Sequence, residues 1–476
     1  MKKLLLFTFL FATANCRLFA QNNCMETGMN LRGFNLWQRE YEQAMVDVMK
    51  SCLLWSTQNN NSTSPGNTNV LTSISLDADG YPLSLPVTVA GQTQPQVVAT
   101  TMLNNINGQY PSGEYVMLYD GTGTFQLGGD AAVTSTTPGR VAFNVATPSN
   151  AGIFLKILTS SAADHVRNIR VLMPGTEFTY QTQPFNQAFL DKIAPFSVLR
   201  FTSWTFTNGN DLVTWESRRK PSYYTQGTYA TSSPHAGCAY EHIIQLGNIT
   251  QKDIWINVPA QADTNYIREM AIFFRDSLNT NSKIYLEYSN ELWNPVMWFE
   301  QNWVNTNGPA SLPNLAQKYA YFADRVFDIW ASVFGASFSN RVVRVAACQN
   351  GNPWVGQQVM NYLSANGGAD ALSPAAYIDL RPYYYDSLDI LGAGATPADV
   401  IRLTRKSFAE LKTVFAGNKA TANTYNLPLI YYEGGQHLVP EGGMAHPYNQ
   451  AMFDAQIDTA MYNVYHELLS PNFSVY

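Results

Sequence analysis

The segment KIYLEYSNELWN, residues 283–294, joins a run of strand-forming residues directly to a loop that carries a carboxylate. Residues 283–288 are mostly apolar and show little polar alternation, which is typical of a strand buried on both faces in a parallel sheet. We therefore predict a strand over 283–288, with Glu291 just beyond its carboxyl end.

Other predicted strands have the same character, and amphipathic helices lie between them after residue 180. These strands cover residues 29–37, 197–204, 253–259, 341–347, 376–380 and 427–432. Helical periodicity is clearest at 41–53, 267–278 and 316–330. An alternating series of this kind favours an α/β fold of the (β/α)8 class, the TIM barrel, over a doubly wound sheet. Only residues 472–476 could supply an eighth strand.

Between the first helix and the second strand the sequence has a different texture. Short β-rich runs are separated by Gly, Pro and Asn turns from about residue 70 to 178. We predict an inserted all-β, sandwich-like domain over 61–179. The barrel would then comprise its first strand and helix at 21–60 and the remainder at 180–476.

The N-terminal segment predicts export. Residues 1–20 combine two lysines, an apolar run over 4–14 and a plausible cleavage site, as signal peptides do. No later stretch has 18 uninterrupted apolar residues, so we expect a periplasmic or extracellular protein without a membrane segment in the mature chain. Lipid attachment at Cys16 is disfavoured, because Thr13-Ala14-Asn15 lacks the expected preceding residues. Three full pairings remain open for Cys24, Cys52, Cys238 and Cys348.

Composition limits the class of partner. The formal net charge is −6 and only 13% of residues are charged. There is no basic cluster to neutralise a phosphate backbone, so we expect no nucleic-acid partner. The histidines are scattered and no cysteine pair has C-x-x-C spacing, so we expect no metal and no cofactor. The oligomeric state is left open.

Two carboxylates occupy matching positions in the predicted barrel. Glu291 follows the strand at 283–288, and Glu433 follows the strand at 427–432. Catalytic groups in such barrels lie at the carboxyl ends of the strands. Two carboxylates facing each other at about 5 to 5.5 Å perform retaining glycoside hydrolysis. For either residue alone, a structural salt bridge is an equal alternative.

The motif YSNELWN, residues 288–294, resembles that of the clan-A glycoside hydrolases, which are retaining (β/α)8 enzymes that include cellulase-like and arabinofuranosidase families. The whole layout looks like secreted bacterial proteins described as candidate glycosidases. The resemblance covers about 30–55 and 180–476. It implies that Asn290 binds the sugar 2-hydroxyl, that Glu291 is the general acid/base and that Glu433 is the nucleophile.

The same resemblance implies supporting roles nearby. Arg200 would support the nucleophile, and Tyr383 would donate a hydrogen bond to it. Trp204 and Trp293 each end a predicted strand, so we expect them to stack on sugar rings.

These features predict a secreted retaining glycoside hydrolase that acts on a polysaccharide or oligosaccharide. The alternative is a non-catalytic carbohydrate-binding protein on a degenerate glycosidase barrel. It is favoured by the absence of any Trp after Trp354, where the family usually has a strand-eight Trp. Retention of both glutamates and of Asn290 argues against it.

Overall fold

The computed structural model describes residues 27–34, 42–63, 66–227 and 237–469. The predicted signal peptide, Cys16, Cys24 and the predicted eighth strand lie outside these residues. The strands are β1 (Gly28–Asn30), β2 (Ser56–Asn59), β3 (Gln96–Met102), β4 (Gly113–Asp120), β5 (Gly123–Gly129), β6 (Ala132–Thr137), β7 (Arg140–Val145), β8 (Ile153–Ser160), β9 (Arg167–Leu172), β10 (Val198–Arg200), β11 (Asp253–Val258), β12 (Ile284–Tyr288), β13 (Val342–Ala347), β14 (Ala371–Ser373), β15 (Ala376–Ile378) and β16 (Gly434–Gln436).

The helices lie mainly in the second half of the described chain. They are α1 (Gln187–Ile193), α2 (Tyr240–Thr250), α3 (Thr264–Ser277), α4 (Trp298–Asn307), α5 (Leu315–Phe334), α6 (Phe338–Arg341), α7 (Pro353–Leu363), α8 (Pro382–Leu391), α9 (Pro397–Thr424), α10 (Asn449–Ile457) and α11 (Thr459–Leu469). The helices predicted over 267–278 and 316–330 correspond to α3 and α5. Each begins at a side-chain cap: Asp263 accepts from Tyr266 N, and Asn314 accepts from Gln317 N.

Six parallel strands form a curled sheet that makes half of a barrel. Their order is β1-β10-β11-β12-β13-β14, while β15 and β16 pair separately. The strands predicted at 253–259, 283–288 and 341–347 are confirmed as β11, β12 and β13. The strand predicted at 427–432 is not formed as a regular strand. Its segment makes one isolated bridge to β14, between Leu372 and Leu429, and backbone hydrogen bonds that include Ile430 N to Leu372 O at 3.0 Å.

The predicted closed (β/α)8 TIM barrel is therefore wrong. Among the described residues the parallel sheet stops at β14 and does not close on β1. Pro374 interrupts the chain between β14 and β15, and Pro428 lies in the facing segment. Proline has no N–H to give to a ladder, which breaks the sheet at this point. The resemblance to clan-A glycoside hydrolases fails with the barrel, because that closed fold is what it implied.

The amphipathic helix predicted over 41–53 is also absent from its described part, residues 42–53. This segment holds isolated bridges and a 3-10 turn over Val48–Ser51. Its apolar residues divide between two cores: Met45 packs in the half-barrel, whereas Met49 and Cys52 pack in the β domain. The apolar residues do have helical spacing in the sequence, but they pack into two different cores and the segment does not form a helix.

Two four-stranded antiparallel sheets make up the β domain. Their orders are β2-β3-β8-β5 and β6-β7-β4-β9. A loop that follows β10 reaches into this domain, where Tyr224 stacks on Trp55 with ring centroids 4.8 Å apart. The buried Lys50 ammonium donates to the carbonyl of Pro221 at 2.8 Å. Buried contacts thus join the β domain to the half-barrel.

The described cysteines are dispersed between the cores. Cys52 lies in the β-domain core, and Cys238 and Cys348 lie in the half-barrel core. These three residues form no disulfide bond with one another. Within the described ranges, none of the helices has the length and apolar character needed to cross a membrane.

Candidate active site

Side chains from distant parts of the chain meet at the carboxyl end of the half-barrel. Asn30 and Arg200 are the last residues of β1 and β10, and they pair in register. Glu291 lies in the loop after β12, and Glu433 immediately precedes β16. The structure therefore brings the two sequence-predicted carboxylates and Arg200 to one place.

Glu433 is surrounded by hydrogen-bond donors. Arg200 Nη1 lies 3.2 Å from Glu433 Oε2, and Asn30 Nδ2 donates to the same oxygen at 3.3 Å. The hydroxyl of Tyr377 donates to Glu433 Oε1. The Glu433 side chain is 19% exposed, so substrate can reach it while most of its surface is shielded from water.

Arg200 is itself fixed by a second, fully buried carboxylate. Its Nη2 donates to Glu287 Oε2 at 3.0 Å and to Asn290 Oδ1 at 2.9 Å. The same Glu287 oxygen accepts from Trp255 Nε1 at 2.8 Å and from Asn257 Nδ2 at 2.9 Å. These contacts leave Nη1 of the guanidinium directed at Glu433.

Glu291 is held in a different way, by neutral donors and a tight turn. Tyr432 donates its hydroxyl to Glu291 Oε1 at 2.5 Å, and Asn294 Nδ2 donates to Oε2 at 2.9 Å. The backbone is left-handed at Ser289 (φ +53°) and at Glu291 (φ +45°). Non-glycine residues rarely adopt this conformation, and such strain clusters at functional sites.

The carboxyl groups of Glu291 and Glu433 are close enough to interact electrostatically. Burial raises the pKa of Glu433, and the neighbouring carboxyl of Glu291 raises it as well. The Arg200 guanidinium and the Tyr377 hydroxyl oppose that rise. Because like charges repel, the neighbouring carboxyl of Glu291 makes ionisation of Glu433 more costly.

The glycines after Glu433 serve strand pairing. A Cβ on Gly434 would lie 2.7 Å from the carbonyl oxygen of Ala376, so only glycine allows β16 to approach β15. Ala376 N donates to Glu433 O at 2.8 Å, which fixes the backbone that carries the carboxylate.

Two predicted site residues lie elsewhere. Tyr383 is on α8 and donates to Glu410, while the contact predicted for it is made by Tyr377 on β15. Trp204 is completely buried and packs against Phe34 with ring centroids 4.7 Å apart. The strand β10 ends before it, and the following turns direct the indole into the core, where no sugar can stack on it.

Asn290 and Trp293 lie beside the carboxylates. Asn290 accepts from Arg200 and donates its amide to Asn208 Oδ1 at 3.0 Å. Trp293 is half-buried, and its ring centroid lies 6.1 Å from that of Tyr432. It also borders a cavity on the side facing α5 and α7.

Sequence reasoning missed several members of this site: Asn30, Trp255, Asn257, Glu287, Tyr377 and Tyr432. Glu287 could have been predicted as a member of the site, because a carboxylate inside an apolar strand needs a buried partner. Tyr432 directly precedes Glu433. Successive side chains of a strand point to opposite faces, so the strand predicted at 427–432 would direct Tyr432 away from the Glu433 carboxylate. Because the backbone of this segment is irregular, neighbouring side chains need not point to opposite faces.

Comparison with known proteins gives no family for this chain: no family model matches it, and no curated protein matches it. The resemblance to clan-A glycoside hydrolases thus has neither the closed barrel nor a matching family model behind it. Among the described residues, no group of three or more His, Cys, Asp or Glu is arranged to hold a metal ion.

Proposed function

We propose that this protein is a retaining glycoside hydrolase that works by double displacement, with Glu433 as the nucleophile and Glu291 as the general acid/base. One observation carries the proposal: two partly exposed carboxyl groups interact at one end of the half-barrel, and one accepts from a cation whereas the other accepts from a neutral hydroxyl. This is the pairing that glycoside hydrolysis requires.

The donors support the division of roles. Glu433 accepts from a guanidinium, an amide and a phenol, so negative charge is stabilised there. Among the described residues, the donors to Glu291 are the neutral groups of Tyr432 and Asn294. We therefore assign Glu433 as the nucleophile and Glu291 as the group that transfers a proton to the leaving group.

The reaction follows from that arrangement. Glu433 attacks the anomeric carbon while Glu291 transfers its proton to the departing glycosidic oxygen, and the carbon–oxygen bond breaks. Glu291 then removes a proton from water, which attacks the same carbon and releases Glu433. The sugar leaves with its original anomeric configuration.

Close contact of the carboxyl groups favours retention over inversion. Inverting enzymes keep their carboxyl groups about 6.5 to 9.5 Å apart, which leaves room for a water molecule between base and sugar. The electrostatic interaction between Glu291 and Glu433 supports the shorter separation of a retaining enzyme. Direct attack by Glu433 is the consistent chemistry.

We propose the location and the substrate from the sequence. We propose export on the strength of the apolar segment over residues 4–14 and its cleavage site. The substrate would be a carbohydrate, either a polysaccharide or an oligosaccharide.

The test is a screen of the purified full chain on aryl glycosides, β-glucans, xylan, mannan and arabinan. We expect hydrolysis of at least one substrate, with retained configuration in the first product seen by NMR. Glu433→Gln should abolish it. Glu410→Gln is the matched control, since Glu410 also accepts from tyrosines but lies apart from the site. Binding without turnover would favour the carbohydrate-binding alternative, and neither binding nor turnover would contradict both.

A further inference from the structure

A cavity of about 200 Å³ lies between the loop after β12 and the helices α5 and α7. Its wall is mostly apolar and includes Trp293, Ala316, Tyr319, Trp354 and Val359. Trp354 is 49% exposed, unusual for a tryptophan, and forms part of the rim. Nothing in the proposed reaction so far uses this space.

The cavity adjoins the acid/base. Trp293 follows Glu291 by two positions, lines the cavity and contacts the ring of Tyr432. Tyr432 in turn donates to Glu291. A group held in the cavity would therefore pack against Trp293, the residue that contacts the tyrosine bonded to the proposed acid/base.

The lining is poorly suited to a second sugar ring. Its polar side chains, apart from Tyr319, are the amides of Asn314 and Gln349. Asn314 is already used, since it accepts from Gln317 N and donates to Gln358 Oε1. A buried sugar would leave several hydroxyls without partners, and each would cost free energy.

The size suits a small apolar group. An apolar cavity of about 150 Å³ is enough to hold benzene. A space of about 200 Å³ thus admits a substituted ring or a compact bicyclic group. Burial of such a group against Trp293 and Val359 is favourable in proportion to the apolar area removed from water.

We infer that this cavity binds an apolar aglycone, an aromatic or alicyclic leaving group whose glycosidic oxygen is protonated by Glu291. The inference rests on the proposed glycoside hydrolase function and narrows its substrates to glycosides of apolar alcohols or phenols. Trp293 and Trp354 are then specificity residues that contact the leaving group.

The experiment compares the cyclohexylmethyl and methyl glycosides of the sugar that the screen identifies. Both release alkoxides of similar basicity, so a difference in KM reports binding and not leaving-group chemistry. We expect the cyclohexylmethyl glycoside to have a KM roughly tenfold to a hundredfold lower. Ala316→Phe, which fills the cavity, should abolish this preference.

Two further variants guard against misfolding. Trp354→Ala removes a half-exposed rim residue and should reduce the preference without loss of the fold. Phe178→Ala is the matched control, because Phe178 is 93% exposed and lies after β9, outside the cavity lining. It should leave both KM values unchanged.

The outcomes separate this inference from the proposed function. Turnover with equal KM values, or a preference that survives Ala316→Phe, would overturn the aglycone assignment while hydrolysis stands. A preference for a disaccharide that Ala316→Phe removes would assign the cavity to sugar instead. If no glycoside is hydrolysed, the proposed function and the leaving-group role both fail. Ligand-observed NMR with cyclohexylmethanol, on wild type and Ala316→Phe, then decides whether the cavity binds apolar rings at all.

Discussion

Glu433 and Glu291 occupy the same space but are carried by two different kinds of backbone. Glu433 lies in a bend directly before β16, where its carbonyl accepts from Ala376 of β15, and a cation supports its charge. Glu291 lies on a left-handed turn, and its hydrogen-bond donors among the described residues are neutral. The comparison supports the proposed division of roles, because a cation stabilises a negative charge on Glu433 and the two described donors to Glu291 are neutral.

We expect the largest effect on activity when each carboxylate is removed in turn. Glu433→Ala should lower kcat by about 10⁴-fold or more on every glycoside, because no covalent intermediate can form. Glu291→Ala should spare the first step for substrates with good leaving groups and slow breakdown of the intermediate. Azide added to each variant identifies the role: inverted product with Glu433→Ala, retained product with Glu291→Ala. The reverse pattern would exchange the two roles.

A second test breaks the cationic support of Glu433. Arg200→Met leaves Glu287 buried without its ion-pair partner, and we expect the free energy of unfolding to fall by about 3 to 5 kcal/mol. Urea denaturation measures this loss. Arg344→Met is the matched control, because the Arg344–Asp370 pair is partly exposed and should contribute about 1 kcal/mol or less. Equal effects for the two variants would mean that the buried network does not hold Arg200 in place.

The smallest effect concerns a single hydroxyl. Tyr377 lowers the pKa of Glu433, so Tyr377→Phe should raise that pKa further. The nucleophile would then be protonated at higher pH, and the acid limb of the kcat/KM profile should move upward in pH. We expect a loss of about tenfold in kcat/KM at neutral pH. Tyr383→Phe should change neither quantity, and an acid limb unmoved by Tyr377→Phe would show that Glu433 does not set it.

Local sequence signals were sufficient for the strands that lie deep in the sheet. Residues 253–259 and 283–288 are mostly apolar, so their composition and length predict β11 and β12 without help from the rest of the chain. Closure of the barrel could not be predicted in this way. Closure depends on the hydrogen bonds between strands near Pro374 and Pro428. The number of strands predicted from the sequence gives no information about these bonds.

The site was predictable where a residue follows a regular strand. Arg200, Asn290 and Glu291 lie at the ends of β10 and β12, and their meeting follows from the parallel order. Tyr383 was chosen instead of Tyr377 because its place came from the resemblance and not from the register of β15. Trp204 was misassigned for a related reason, since the end of β10 was placed four residues too late.

The hydrogen bond between Asn30 and Glu433 joins residues 403 positions apart in the chain. Closing so long a loop costs conformational entropy early in folding, and contacts of this range are established slowly. The nucleophile therefore acquires its full set of donors only after β1 has docked on β10 and the segment before β16 has reached the same edge. We therefore expect any glycosidase activity to appear only at the end of folding. Recovery of turnover during refolding would then report completion of the whole half-barrel.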